Sequence, residues 1–190
     1  MRQWRFPRLL LAVLAAPLIA FSAMAPQSAG FAEAGREAPY ADKVAPAVTK
    51  YHQLRPGLAA AARLEEGAVG DLKALGFATI VDLRGPDEGV AAERREVEAA
   101  GLRYLNIPVT AVIPSDEQVA EFGRIVEDAA NLPILVHCGS GNRVGAMWTL
   151  YLARTGIPVA AAVAEGRAIG MRADREIAVL GRLGPSAAPR

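Results

Sequence analysis

The sequence predicts an α/β fold, a single domain whose mainly parallel sheet is flanked by helices. Short apolar, β-rich runs at residues 77–83, 103–107 and 134–136 have the length and pattern of strands. Helical patterns lie between and after them, and strand–helix alternation is how parallel crossover units are written. With 190 residues there is room for one domain and too little for two of ordinary size.

The elements follow in order. Residues 26–50, rich in Ala, Pro, Gly and Ser without a steady period, read as a linker. The domain is expected over 51–183, with a short tail at 184–190. Residues 67–76 form a helix stopped by Gly76, and Phe77–Leu83 is a buried strand ended by Gly85 and Pro86. Glu88–Ala100 is a helix closed by Gly101, and Arg103–Ile107 alternates until Pro108. Ser115-Asp116-Glu117-Gln118 has the Ser-x-x-Gln form of a capping box, followed by Val119, Phe122, Val126 and Ala129 at helical spacing. Ile134-Leu135-Val136 is a third strand. Residues 144–154, 159–168 and 173–183 are helical.

Composition excludes several function classes. Lys plus Arg is 21 against Asp plus Glu 20, a net charge of +1, so no uncompensated basic surface for nucleic acid is expected. One cysteine rules out an internal disulfide framework and a multi-cysteine zinc site. Two histidines, His52 and His137, leave little for a histidine-built metal centre, and neither metal nor cofactor is expected. At the N-terminus Arg2, Arg5 and Arg8 precede an uncharged apolar run from Leu9 to Ala25, the layout of an export signal over residues 1–25. An uncleaved N-terminal anchor is the rival, and the only expected membrane contact. Without those residues the body carries 18 bases against 20 acids, net −2. The expected location is exported, periplasmic or secreted. There a lone cysteine is either buried and inert or kept for its chemistry.

His137-Cys138-Gly139-Ser140-Gly141-Asn142-Arg143 joins the third strand to a helix. A glycine-rich strand-to-helix turn leaves several N–H groups free around one concavity, and the helix dipole adds to its attraction for an anion. Such a place favours the thiolate of Cys138 over the thiol. Arg143, in the first helical turn, offers a bidentate fork to two oxygens of an oxyanion. Nucleophile, cradle (Gly139, Ser140, Gly141 and Asn142) and guanidinium thus converge within six residues. The bland alternative is a buried small residue in a flexible turn.

Ile80-Val81-Asp82-Leu83-Arg84, Gly101 to Val109 and Pro133 to Arg143 follow one another as in the phosphatase-like domain of β-lactamase-hydrolase-like proteins. The chain resembles that family, a branch of the dual-specificity, tyrosine-phosphatase-like superfamily, from about Tyr51 to Leu183. The resemblance implies a dual-specificity-phosphatase-like fold, with Cys138 as nucleophile, Arg143 as oxyanion clamp and His137 as a hydrogen-bonding neighbour of the thiolate. It also implies a small anionic substrate or a phosphoprotein.

Three departures keep alternatives open. Four residues separate Cys138 from Arg143 where that superfamily usually has five, and the short loop also resembles the active loop of rhodaneses, which carry sulfur as a persulfide. Val144 follows the arginine where many phosphatases have Ser or Thr. Thr110 and Ala111 stand where a general acid is expected; Asp116 is the nearest substitute, although complementing a helix N-terminus is its better-supported task. A sulfurtransferase and a non-catalytic anion-binding module therefore stand beside the phosphate-ester hydrolase. Arg84 and Glu88 flank the turn after the first of these strands, where an acid could orient Arg143, and surface charge on a loop is at least as good a reading. Glu93-Arg94-Arg95-Glu96 reads as a solvated helix face. Trp148 and Tyr151 read as packing, and Gly166-Arg167 with Gly170-Met171-Arg172 as added positive charge of unknown direction.

Overall fold

The computed structural model describes residues 41–184, so the expected export signal and residues 26–40 of the expected linker lie outside the described residues. Five strands form one sheet: β1 (His52–Arg55), β2 (Leu58–Ala60), β3 (Thr79–Asp82), β4 (Arg103–Asn106) and β5 (Ile134–His137), in the order β1-β2-β5-β3-β4. All neighbours are parallel except the β1–β2 hairpin at one edge. The seven α-helices of the described residues are α1 (Ala41–Val44), α2 (Ala68–Ala74), α3 (Val90–Ala99), α4 (Asp116–Glu127), α5 (Asn142–Arg154), α6 (Val159–Ile169) and α7 (Ala173–Leu183).

Side chains alternate across the pleat, so successive strand residues feed two separate cores. Leu58, Ala60, Val81, Ile134 and Val136 pack with α4, α5, α6 and α7. Ala59, Ile80 and Leu135 pack with residues of α1, α2 and α3. Every residue of β2, β3 and β5 is buried, as expected of central strands covered on both faces. The mainly parallel α/β architecture read from the sequence is the one observed, and β3 to β5 and α2 to α7 lie within a few residues of their expected positions.

The β1–β2 hairpin has no counterpart in the sequence reading. Residues 58–62 are Leu followed by four alanines, a composition with helix rather than strand propensity. Tertiary packing overrides it: Leu58 to Ala61 are all 0% exposed, and small side chains let helices approach the sheet closely. The packed chain also reaches into the segment expected as a linker. Val44, Ala47 and Val48 are buried, and the Thr49 N–H donates to the Arg63 carbonyl while the Thr49 carbonyl accepts from the Ala62 N–H across the start of the domain.

Helix α5 runs through one core layer, with ten of its residues buried. Trp148 and Tyr151 pack with Phe122 of α4 in edge-on pairs, ring centroids 6.4 and 5.6 Å apart. Against α6 the contact is closer still. A Cβ on Gly145 would run into the Gly166 carbonyl and stand 2.8 Å from the Met171 Cβ, so the two backbones nearly touch. Gly145→Ala is therefore expected to destabilise the domain by about 1–3 kcal/mol, the usual range for overpacking. Urea unfolding would read it as a lower midpoint at unchanged slope; a midpoint equal to the parent's would contradict this packing.

Candidate active site

Four parallel strands end on one edge of the sheet, the edge where open α/β folds gather functional groups. Asp82, Asn106 and His137 are the last residues of β3, β4 and β5, and Cys138 is the next residue after β5. The Cys138 N–H is held by the Ala62 carbonyl at 3.0 Å, which carries β5 pairing one residue beyond the strand. The chain then turns through Gly139 and Ser140 to Gly141, the N-cap of α5, at φ 85°. That left-handed backbone suits glycine, and space forbids anything else: a Cβ there would lie 2.5 Å from the Ile169 carbonyl oxygen.

The loop closes on the sulfur. The Gly141 N–H donates to Cys138 Sγ at 3.2 Å. Cys138 is 0% exposed, at the floor of the loop. The amides of Gly139, Ser140, Asn142 and Arg143 have no hydrogen-bond acceptor among the described residues. Those of Asn142 and Arg143 belong to the first turn of α5, whose N–H groups run toward the loop. The sequence-predicted cradle of Gly139, Ser140, Gly141 and Asn142 is thus a run of donors around the thiol.

Arg143 is held by Glu88. Its Nη1 and Nη2 donate to the two carboxylate oxygens of Glu88 at 2.5 and 2.6 Å. Glu88 in turn accepts from the Gly85 N–H at 2.9 Å, locking a 3-10 turn at Pro86–Glu88. The Arg143 bonds are the main reason the Glu88 carboxyl is pulled down to about 2, with burial opposing them. The same bonds push Arg143 up despite its burial, and Cys138 beside it adds to the effect. Of the two readings of Glu88, the acid that orients Arg143 is the one observed.

Behind the loop lies a buried polar cluster that the sequence reading did not assemble. Asp82, 0% exposed, accepts from the Arg84 N–H, Arg84 Nε and Nη2, and the Tyr104 hydroxyl at 2.6 Å. Burial pushes the Asp82 carboxyl up, but the Arg84 bonds, the nearby His137 and Tyr104 together bring it below its ordinary value. Tyr104 is raised, by burial first and by Asp82 second. Arg84 Nη2 also pairs with Glu93 at 2.6 Å. Glu93 is not on a solvated face: only 13% exposed, it turns inward while its neighbour Arg94 stays half exposed.

The His137 ring faces Glu93 and Asp82, with Nε2 2.8 Å from Glu93 Oε1 and 3.7 Å from Asp82 Oδ1. The 2.8 Å approach lacks hydrogen-bond alignment, and both atoms are buried without a hydrogen-bond partner. The ring thus packs toward the carboxylates, not toward the sulfur as the resemblance implied. Asp82, Glu93 and His137 bring one potential ligand atom each to within 4.8 Å of one another. Arg84, bonded to both carboxylates, already supplies the positive charge a cation would bring.

Asp116 sits in the first turn of α4 behind Ser115, whose side chain caps Gln118 as the sequence predicts. Its carboxylate pairs with Arg182 of α7 at 2.5 Å and is 79% exposed, so its contacts are with α7 and not with the loop. Trp148 and Tyr151 are core residues. Arg167 pairs with Glu176 on the surface, whereas the Arg172 N–H donates to the Asn142 side chain at 2.9 Å and joins the start of α7 to the loop. Sequence reasoning missed Arg175, whose charge is felt by both Arg143 and Cys138.

Comparisons with known proteins agree with this geometry. Residues 61–176 match the model of a family described as a DSP-PTPase phosphatase fused to NAD+ kinase. No curated protein matches the chain. Among solved structures, Tk-PTP in its active form is 24% identical, with a TM-score of 0.59 over 70% of this chain and 95% of its own. TpbA of P. aeruginosa, a variant in complex with phosphotyrosine, is 24% identical, with a TM-score of 0.58 over 72% and 90%. The core catalytic domain of the PP-IP phosphatase SIW14 from S. cerevisiae, bound to citrate, is 18% identical, with a TM-score of 0.58 over 68% and 84%. With the family model spanning more than half of the chain and the loop, sheet order and clamp in place, the chain belongs to this DSP-PTPase family and is a hydrolase of the dual-specificity-phosphatase-like superfamily.

Proposed function

We propose that the chain hydrolyses phosphate monoesters in an exported setting, with Cys138 as nucleophile. The observation that carries this reading is the loop itself: a thiol ringed by unpaired amides, with a bidentate guanidinium at its rim. Cys138 Sγ attacks phosphorus while the ester P–O bond breaks, and its electron pair leaves with the alcohol or phenol oxygen, which takes up a proton. The loop amides and Arg143 hold the equatorial oxygens, where charge is largest. Water then attacks the phosphocysteine, the P–S bond breaks and the thiolate returns as phosphate departs. The export part of the reading rests on Arg2, Arg5 and Arg8 ahead of the apolar run from Leu9 to Ala25.

Glu88 is a positioning residue here. It engages one edge of the Arg143 guanidinium and leaves the remaining N–H groups to an oxyanion. The contacts of Asp116 with Arg182 favour substrates whose leaving group needs no help from an acid, such as aryl phosphates. A missing general acid typically costs about 10²–10⁴ in rate.

The reduced protein is expected to release phosphate from p-nitrophenyl phosphate, with turnover lost in Cys138→Ser. The same preparation given thiosulfate and cyanide is expected to form no thiocyanate. Thiocyanate without phosphate release would replace this reading by the sulfurtransferase that the four-residue spacing also suits. Kinetically, an alkyl phosphate should fall behind p-nitrophenyl phosphate by about 10²–10⁴ in kcat/KM; equal rates on both would mean that an acid does serve the leaving group.

Two further outcomes test Glu88. Glu88→Gln is expected to raise KM for p-nitrophenyl phosphate more than it lowers kcat, since the clamp loses orientation while the thiol is untouched; equal losses in the two would argue against a positioning role. The Glu88 carboxyl should titrate near pH 2, well below its ordinary value, as followed by carboxyl-selective NMR. With its folded value depressed, its contribution is complete above the ordinary carboxylate range and fades only as pH falls toward 2. A midpoint near 4.3, the unperturbed value, would mean the pair with Arg143 does not form.

A further inference from the structure

The carboxylate that aims Arg143 is itself weakly protected. The Glu88 side chain is 43% exposed, so water competes for its oxygens. Its 3-10 turn, Pro86–Glu88, is bounded by Gly85 and by Gly89 at φ 85°. Glycine on both sides leaves such a turn loose unless its main chain is held. The Glu88 N–H donates to the Gly85 carbonyl at 3.1 Å. The Glu88 carbonyl accepts from no main-chain N–H of the described residues; it accepts instead from Arg84 Nη1 at 3.1 Å.

Arg84 is fixed on every other side. Its Nε donates to both oxygens of Asp82, at 3.0 and 3.1 Å. Its Nη2 donates to Asp82 at 2.9 Å and to Glu93 at 2.6 Å. The main chain is held as well, the Arg84 N–H on Asp82 and the Arg84 carbonyl on the Asn106 side chain. Asp82 is fully buried, and Arg84 and Glu93 are each only 13% exposed, so water does little to loosen these bonds. A planar guanidinium held along Nε and Nη2 has its remaining nitrogen aimed for it. Nη1 therefore meets the Glu88 carbonyl where Asp82 of β3 and Glu93 of α3 send it.

We propose that Arg84, anchored by Asp82 and Glu93, is a positioning residue for the oxyanion clamp: through the Glu88 carbonyl it holds the Glu88 carboxylate against Arg143. This role rests on the phosphatase reading, in which Arg143 holds the equatorial oxygens. Glu93 then serves the clamp at two removes, by way of Arg84 and Glu88.

Inorganic phosphate is the probe, its binding to the full chain measured calorimetrically in a Cys138→Ser background so that nothing turns over. Arg84→Lys keeps the charge and loses the three-way fork. It is expected to weaken phosphate binding roughly three- to tenfold, within the range for residues that share one network. In a Glu88→Gln background the same change should cost less than about twofold, because the link it acts through is already gone. Glu93→Gln, nearly the same shape, is the gentler second variant. It is expected to weaken binding in the same direction, and likewise to lose its effect once Glu88 is changed. A merely structural Arg84 would weaken binding equally with and without Glu88. That result, undiminished binding in both Arg84→Lys and Glu93→Gln, or no phosphate binding in the Cys138→Ser protein would each overturn the proposal. Turnover of p-nitrophenyl phosphate by the unmutated chain is scored separately. Its absence would sink the phosphatase reading and leave the coupling of Arg84 to Glu88 to stand or fall alone.

Discussion

The buried carboxylate of Asp82 is the constraint around which the site edge is organised. A carboxylate taken wholly out of water is costly unless donors replace the lost hydration. Here Arg84 supplies main-chain and guanidinium donors and Tyr104 its hydroxyl. These partners come from β4 and from the second residue beyond β3, so satisfying one charge fixes the relative height of two strand ends. Asn106, at the end of β4, adds bonds from its side chain to the Asp82 and Arg84 carbonyls. The turn that follows carries Glu88, and Glu88 carries Arg143. The position of the oxyanion clamp is therefore traceable, link by link, to a carboxylate that never meets solvent.

Two kinds of order meet at Cys138. On one side the sheet delivers the residue by parallel pairing that runs one step past β5 into the Ala62 carbonyl. On the other, α5 is capped by Gly141, and its position is set by the near-contact of Gly145 with Gly166. Strand and helix are each rigid, and the loop between them has little freedom left. That rigidity matters for an anion cradle, because donors fixed in advance need no reorganisation when charge develops.

Much of the molecule was legible because glycine and proline punctuate it: Gly76, Gly85, Gly101 and Pro108 bound elements with clear apolar periodicity. The catalytic loop was legible because cysteine, glycines and arginine sit within six residues. The β1–β2 hairpin was not, since its alanines speak for a helix and only burial on both faces makes them a strand. Glu93 was misread for a similar reason. Within a helix adjacent residues point about 100° apart, so a run of four charges holds members that face inward and members that face out. Glu88 was recognised as a possible partner of Arg143 because its place after β3 follows from strand order alone. Arg175 was invisible, as its place on the Ala111 and Val112 carbonyls depends on how α6 and α7 fold back.

Gly141 has a consequence for how such a loop can vary. Its space is denied by the carbonyl oxygen of Ile169, at the end of α6, and the next residue, Gly170, lies close against Ser140 and Gly141. Two stretches almost thirty residues apart thus occupy one shared volume. A larger residue at position 141 would be admissible only with a rerouted α6–α7 turn, and a rerouted turn would strand the loop. Substitutions in the two stretches are bound to be interdependent, so a library that varies one while holding the other constant would return almost nothing.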